Sequence, residues 1–184
     1  MLPYKLTICG LNELAEVVPS GISHVISILD PDSPSPSELG NIDAANRIMF
    51  HFDDVTMSQE GRMAPGTTDI TKLLDWGRGL LSSDSPHLLV HCHAGVSRST
   101  AAAAILMLDQ NPGLEERVFL ELDSLRPRNW PNSMMIKLAD DLLNCDGKFV
   151  AELRNHHGRM ASRNPELAEL IRLHGRAHEI PEGM

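Results

Sequence analysis

Apolar residues fall along this chain in two rhythms. Four short runs, Lys5–Cys9, His24–Leu29, Arg47–Phe52 and His87–His91, are rich in β-branched and other apolar side chains and read as buried strands. Elsewhere the period lengthens. Asn12–Val18 reads as a helix linking the first two strands. Ile70, Leu73, Leu74, Gly77, Leu80 and Leu81 recur at helical spacing and predict a helix over Thr68–Leu81. The Ala-rich stretch Thr100–Leu108 predicts another, and Asn111-Pro112-Gly113 breaks the chain after it. Leu114, Val118, Leu122 and Leu125 trace one face of the next helix, with Glu115 and Glu116 in the first turn, where the helix dipole favours them. Asn132 or Ser133 caps a further helix whose stripe is Met135, Leu138, Ala139 and Leu142. Lys148–His157 and Pro165–Ala177 read as two more. Strands alternating with helices predict an α/β fold: a single domain with a central, mostly parallel sheet of about four to five strands flanked by helices, and ligands at the carboxyl ends of the strands.

Two segments interrupt the pattern. Asp30-Pro31-Asp32-Ser33-Pro34-Ser35-Pro36-Ser37 is a Pro/Ser-rich loop at the carboxyl end of the second strand. It reads as a solvated connector, with a substrate-facing lip as the alternative. Residues 144–184 carry Arg154, Arg159, Arg163, Arg172 and Arg176 among acidic side chains, which reads as a solvated packing extension rather than a binding patch.

At 184 residues the chain suits one domain with a full hydrophobic core. Its net charge of −9 argues against nucleic acid and anionic membrane surfaces as general partners. The imbalance lies entirely in residues 1–143, which hold 19 acidic and 10 basic side chains, against 6 of each in residues 144–184. The three cysteines Cys9, Cys92 and Cys145 are odd in number and at no zinc-like spacing, so neither a disulfide framework nor a metal centre is expected. Met1–Leu6 lacks the pattern of a signal peptide, and no apolar stretch is long enough to span a bilayer. A cytoplasmic location is expected.

The chemistry concentrates in His91-Cys92-His93-Ala94-Gly95-Val96-Ser97-Arg98-Ser99-Thr100. A strand, a tight loop and a helix N-terminus leave backbone N–H groups for an anion, and Arg98 adds a planar, two-pronged donor for phosphate oxygens. A cysteine in that setting is held as a thiolate at neutral pH, poised for in-line attack on phosphorus. The plain alternative for Cys92 is a small buried hydrophobe. The fuller pattern arises by chance in fewer than roughly one in ten thousand chains of this length, which favours the functional reading. His91 and His93 flank Cys92, but alternate strand positions face opposite sides, so they do not suggest a metal pair.

These residues resemble the signature of the cysteine-dependent protein tyrosine phosphatases, in particular the small dual-specificity branch. Phe50–Asp54 and Arg126–Asn132 carry the resemblance more weakly, and residues after about Asn144 match nothing nameable. The resemblance implies a phosphatase-type fold, with residues 1–143 as the catalytic domain and 144–184 as a helical extension packed on or following it. It also implies a metal-free, cofactor-free phosphomonoesterase that works through a cysteinyl-phosphate. Cys92 would be the nucleophile. His93, Ala94, Gly95, Val96, Ser97 and Arg98 would bind the phosphate, and Ser99 would assist the departing sulfur. A carboxylic acid must protonate the leaving group and then activate water. His51-Phe52-Asp53-Asp54 resembles the family's strand-end segment, which points to Asp54. The spacing to Cys92 is longer than usual, through the loop Met57–Pro65, and leaves Asp53 as the alternative. Arg126 and Arg128 line the rim or lie on the surface, His91 fixes the loop, and Asn132 is structural.

The expected substrate is a phosphoprotein or other phosphomonoester, with phosphotyrosine foremost and phosphoserine or phosphothreonine in addition. Phosphoinositide and RNA 5′-phosphatases on the same scaffold are disfavoured by the absence of Lys from residues 93–97. A pseudophosphatase that binds without turnover is the reading from a different class.

Overall fold

Lys5–Gly10 (β1), His24–Leu29 (β2), Arg47–His51 (β3) and His87–Cys92 (β4) pair in the order β1-β4-β2-β3, every neighbour parallel. The computed structural model describes residues 1–181. Alternation along the strands divides the interior. Leu6, Ile8, Ile26, Ile28, Leu88, Val90 and Cys92 face the larger core, and Cys9, Val25 and Leu89 face a smaller one with Leu14, Leu39 and Ile42. Cys92 thus shares the face of Leu88 and Val90. His91 falls on the other face, where its Nε2 meets Ser27 Oγ at 2.6 Å in β2. The His91 ring therefore ties β4 to β2.

The larger core is roofed by Thr67–Gly79 (α2), Arg98–Gln110 (α3), Glu115–Leu125 (α4), Ser133–Leu143 (α5) and Lys148–Arg163 (α6). On the smaller side the expected helix Asn12–Val18 forms only one α-helical turn, Leu14–Val17 (α1), between 3-10 turns at Leu11–Glu13 and Val18–Ser20. Pro19 brings no N–H to continue the ladder, and Gly21 at φ +88° turns the chain away. The α5 stripe is also rotated from expectation. Met135, Ile136, Ala139 and Asp140 are fully buried, whereas Leu138 and Leu142 are only half-buried against the core. Asp140 belongs inside because its carboxylate accepts from the N–H groups of Gly147, Phe149 and Val150 at 2.8, 2.9 and 3.2 Å, capping α6.

The last two helices differ in length from expectation. α6 runs on to Arg163, and Pro165–Leu173 (α7) stops early, before a 3-10 turn at Ala177–Glu179. Phe149 and Leu153 of α6 enter the main core, with Phe149 stacked on Phe119 at 5.3 Å. Leu167, Ala168 and Ile171 of α7 pack on Trp130, Met160 and Ala161. Fully burying a leucine or isoleucine contributes roughly 1.5–3 kcal/mol. That contact anchors a nine-residue helix too short to persist alone.

Candidate active site

Three strand ends converge at the carboxyl edge of the sheet: Asp30 after β2, Asp53 and Asp54 after β3, and Cys92 closing the central β4. Cys92, Arg98, Asp54 and Asp30 line one open pocket of about 840 Å³. The signature loop between β4 and α3 is built so that its carbonyls are already used. His93 O accepts from Leu11 N, Gly95 O from Arg126 Nε at 3.0 Å, Val96 O from Trp130 N, and Ser97 O from Ala101 N. No N–H of residues 93–98 donates to a protein acceptor among the described residues. The loop is therefore an array of amide donors without acceptors, the arrangement that receives an anion.

Sequence and packing explain this shape. Gly95 has φ +66°, and a Cβ there would lie 2.5 Å from Cys9 C and Gly10 N, so only glycine lets the loop press against the end of β1. Arg126 clamps the loop from outside. Its guanidinium bonds Glu13 in two-pronged fashion at 2.8 and 2.7 Å and thereby holds the Glu13 carboxyl below the usual carboxylate range. Arg126 is thus tied into the loop's support, while Arg128, also at the pocket, is exposed.

Cys92 is buried, with Sγ 3.2 Å from Ser99 Oγ. Ser99 is not the helix cap. α3 starts at Arg98 with Ser97 at the capping position, so Ser99 sits inside the first turn and its hydroxyl is left for the sulfur. Arg98 is buried at the pocket floor. Its Nη1 donates to Asp30 Oδ1 and to Phe52 O, both at 2.7 Å, and Nη2 donates to His93 Nδ1 at 3.0 Å. Arg98 Nε is buried without a hydrogen-bond partner among the described residues. The Pro/Ser-rich loop is accordingly no mere connector, since Asp30 touches Arg98 and Ser33 Oγ lies 3.4 Å from His93 Nε2.

The two aspartates after β3 have different surroundings. Asp53 is buried with both oxygens engaged, Oδ2 by Met63 N at 2.7 Å and Oδ1 by Arg62 Nε at 3.2 Å. Asp54 concentrates its contacts on Oδ1, which accepts from Ser97 Oγ and Asn132 Nδ2, both at 2.8 Å, and from Arg176 at 3.4 Å. Its Oδ2 has no partner among the described residues, and its side chain is one-third exposed to the pocket. Asn132 also caps α5 through Met135 N and holds Val55 O, so a structural residue doubles as the support of Asp54. Arg176, Leu167, Leu170, Ile171 and His174 form one side of the pocket. Arg176 is therefore not part of a solvated extension as its charge pattern suggests, because it is buried at the pocket by a contact that exists only once α7 has docked.

His93 and His91 diverge, one to Arg98 and one to Ser27. Among the described residues no three His, Cys, Asp or Glu side chains gather as a metal cluster, and no helix is long and apolar enough to cross a membrane.

Neither a protein-family profile nor a curated protein matches the chain. Solved structures do. The PTP-2 phosphatase of Cydia pomonella superposes with a TM-score of 0.62 at 19% identity, over 74% of this chain and 84% of that one. DUSP15 gives 0.58 at 21%, over 84% and 92%. The human tyrosine phosphatase-like serine/threonine/tyrosine-interacting protein gives 0.60 at 17%, over 79% and 94%. The parallel four-stranded sheet flanked by helices is the fold that this chain shares with these phosphatase structures.

Proposed function

We propose that this protein is a phosphoric monoester hydrolase of the dual-specificity type. It acts on phosphotyrosine, and on phosphoserine or phosphothreonine, in phosphoproteins through a cysteinyl-phosphate intermediate. The observation that carries this reading is the signature loop: amide donors without acceptors, with Cys92 at its base and the orphaned Nε of Arg98 beside them. A dianionic phosphate satisfies all of these donors at once. Cys92 as a thiolate attacks phosphorus in line, the P–O bond breaks, and Asp54 gives its proton from Oδ2 to the leaving oxygen. Water, deprotonated by the same carboxylate, then breaks the S–P bond, and the Ser99 hydroxyl stabilises the departing sulfur at its distance of 3.2 Å. No metal or cofactor takes part. The free thiols Cys9, Cys92 and Cys145 fit a reducing compartment such as the cytoplasm.

The test is rapid mixing with p-nitrophenyl phosphate. A burst of about one equivalent of p-nitrophenol ahead of steady turnover is expected when breakdown of the phosphoenzyme limits the rate. Cys92→Ser should abolish turnover yet still bind inorganic phosphate or a phosphotyrosine peptide, and vanadate should inhibit the wild type. Near-wild-type hydrolysis by Cys92→Ser would falsify the mechanism.

A further inference from the structure

We propose that Arg176 is a positioning residue for the carboxylate of Asp54, which makes the segment after α7 a working part of the active site. The inference rests on the phosphatase reading above. Arg176 is buried, and its guanidinium joins three parts of the molecule. Nη1 donates to Ser97 Oγ at 2.7 Å and reaches Asp54 Oδ1 at 3.4 Å, while Nε donates to Glu179 Oε2 at 2.7 Å. Ser97 Oγ, held from behind by Arg176, passes its own hydrogen to Asp54 Oδ1. The chain Glu179–Arg176–Ser97–Asp54 therefore fixes one oxygen of the carboxylate and leaves the other facing the pocket.

The arrangement is itself anchored. Glu179 is buried, takes Trp130 Nε1 at 3.0 Å and Ser133 N at 3.2 Å, and so ties the 3-10 turn to the start of α5. Burial alone would raise the Glu179 carboxyl, but Arg176 and its other donors hold it below the usual carboxylate range, so the pair is charged. A buried guanidinium whose one carboxylate partner is satisfied, and whose remaining arm points at Asp54 and Ser97, has an evident chemical use. It keeps Oδ2 aimed at the leaving oxygen, and proton transfer is sensitive to such aim.

The experiment compares kcat/KM for phenyl phosphate, whose leaving group needs a proton, with that for p-nitrophenyl phosphate, whose leaving group departs without one. The proteins are the wild type, Arg176→Met with Glu179→Gln to avoid stranding a buried carboxylate, Ser97→Ala, Asp54→Asn, and Asp54→Asn combined with the Arg176 and Glu179 changes. Arg172→Gln, on the exposed side of α7, is the control that should behave as wild type. The Arg176 variant and Ser97→Ala should each lose roughly tenfold or more on phenyl phosphate and less than about threefold on the nitrophenyl ester. In the Asp54→Asn background the Arg176 changes should cost nothing further on phenyl phosphate.

Equal slowing of both esters, no slowing, or full additivity with Asp54→Asn would overturn the inference. Ser97→Ala decides the matter by itself if the Arg176 variant fails to fold. If the wild type hydrolyses neither ester, the phosphatase reading fails and this inference with it. Wild-type turnover with equal slowing in the variants defeats the inference alone.

Discussion

A carboxylate can act as a proton donor only if one of its oxygens is free to meet the substrate. Asp53 spends both on Met63 and Arg62, whereas Asp54 spends Oδ1 on the protein and keeps Oδ2 for the pocket. Asp54→Asn should therefore slow phenyl phosphate about 100-fold or more and the nitrophenyl ester much less, within the usual range for a lost general acid. Asp53→Asn should lower the melting temperature and slow both esters alike. Steady-state rates on the two esters, with thermal melts, check this. The reverse pattern would make Asp53 the acid. The meeting of Cys92 and Arg98 at one loop could be read from sequence because strand end, loop and helix start are contiguous, and their spacing carries the geometry. The ties that hold Asp54 could not be read, since Ser97 lies 43 positions away, Asn132 78 and Arg176 122.

At the scale of elements, α6 is fastened by two histidines that burial keeps uncharged. Desolvation pushes His156 down to about 3 and His157 down to about 4, from an ordinary value of 6.5. His156 Nε2 donates to Asn129 Oδ1 at 2.6 Å, and His157 Nε2 donates to Pro131 O at 3.1 Å while its ring stacks on Trp130. Asp123, Arg163 and Arg159 surround His156, and Glu179 and Arg176 face His157. Both folded values are depressed, so the unfolded chain binds more protons below about pH 6.5. The stability from these neutral rings is complete above that pH and is lost as pH falls toward 4. Thermal melts across that window should show a falling midpoint, and His157→Phe should flatten part of the slope. A slope unchanged by His157→Phe would contradict the assignment. Most elements were legible because their apolar period is long relative to their boundaries. The α1 region was not, since Pro19 breaks its period after a single turn, and Asp140 was hidden because its buried place reflects a cap for the next helix.

At the scale of the whole molecule, residues beyond 144 share the main core with the strands and helices before them. Phe149 lies beyond the part of the sequence that resembles a known family, yet it is fully buried against Phe119 in the main core. Phe149→Ala should cost about 3–5 kcal/mol. It should shift far-UV circular dichroism and tryptophan fluorescence together, because Trp76 and Trp130 report on α2 and on the α7 contact respectively. Two separated transitions would instead mark residues from Lys148 onward as an independent unit. The link between Asp54 and Arg176 also has a consequence in time. Chains emerge from the ribosome N-terminus first. Cys92 and Arg98 therefore emerge long before Arg176, which contacts Asp54, has been synthesised. The sheet and signature loop can form on a nascent chain, but Asp54 Oδ1 gains its contact with Arg176 only after residue 179 has emerged and the last turn has closed. Under the proposed mechanism, full activity is reserved for chains translated through that turn.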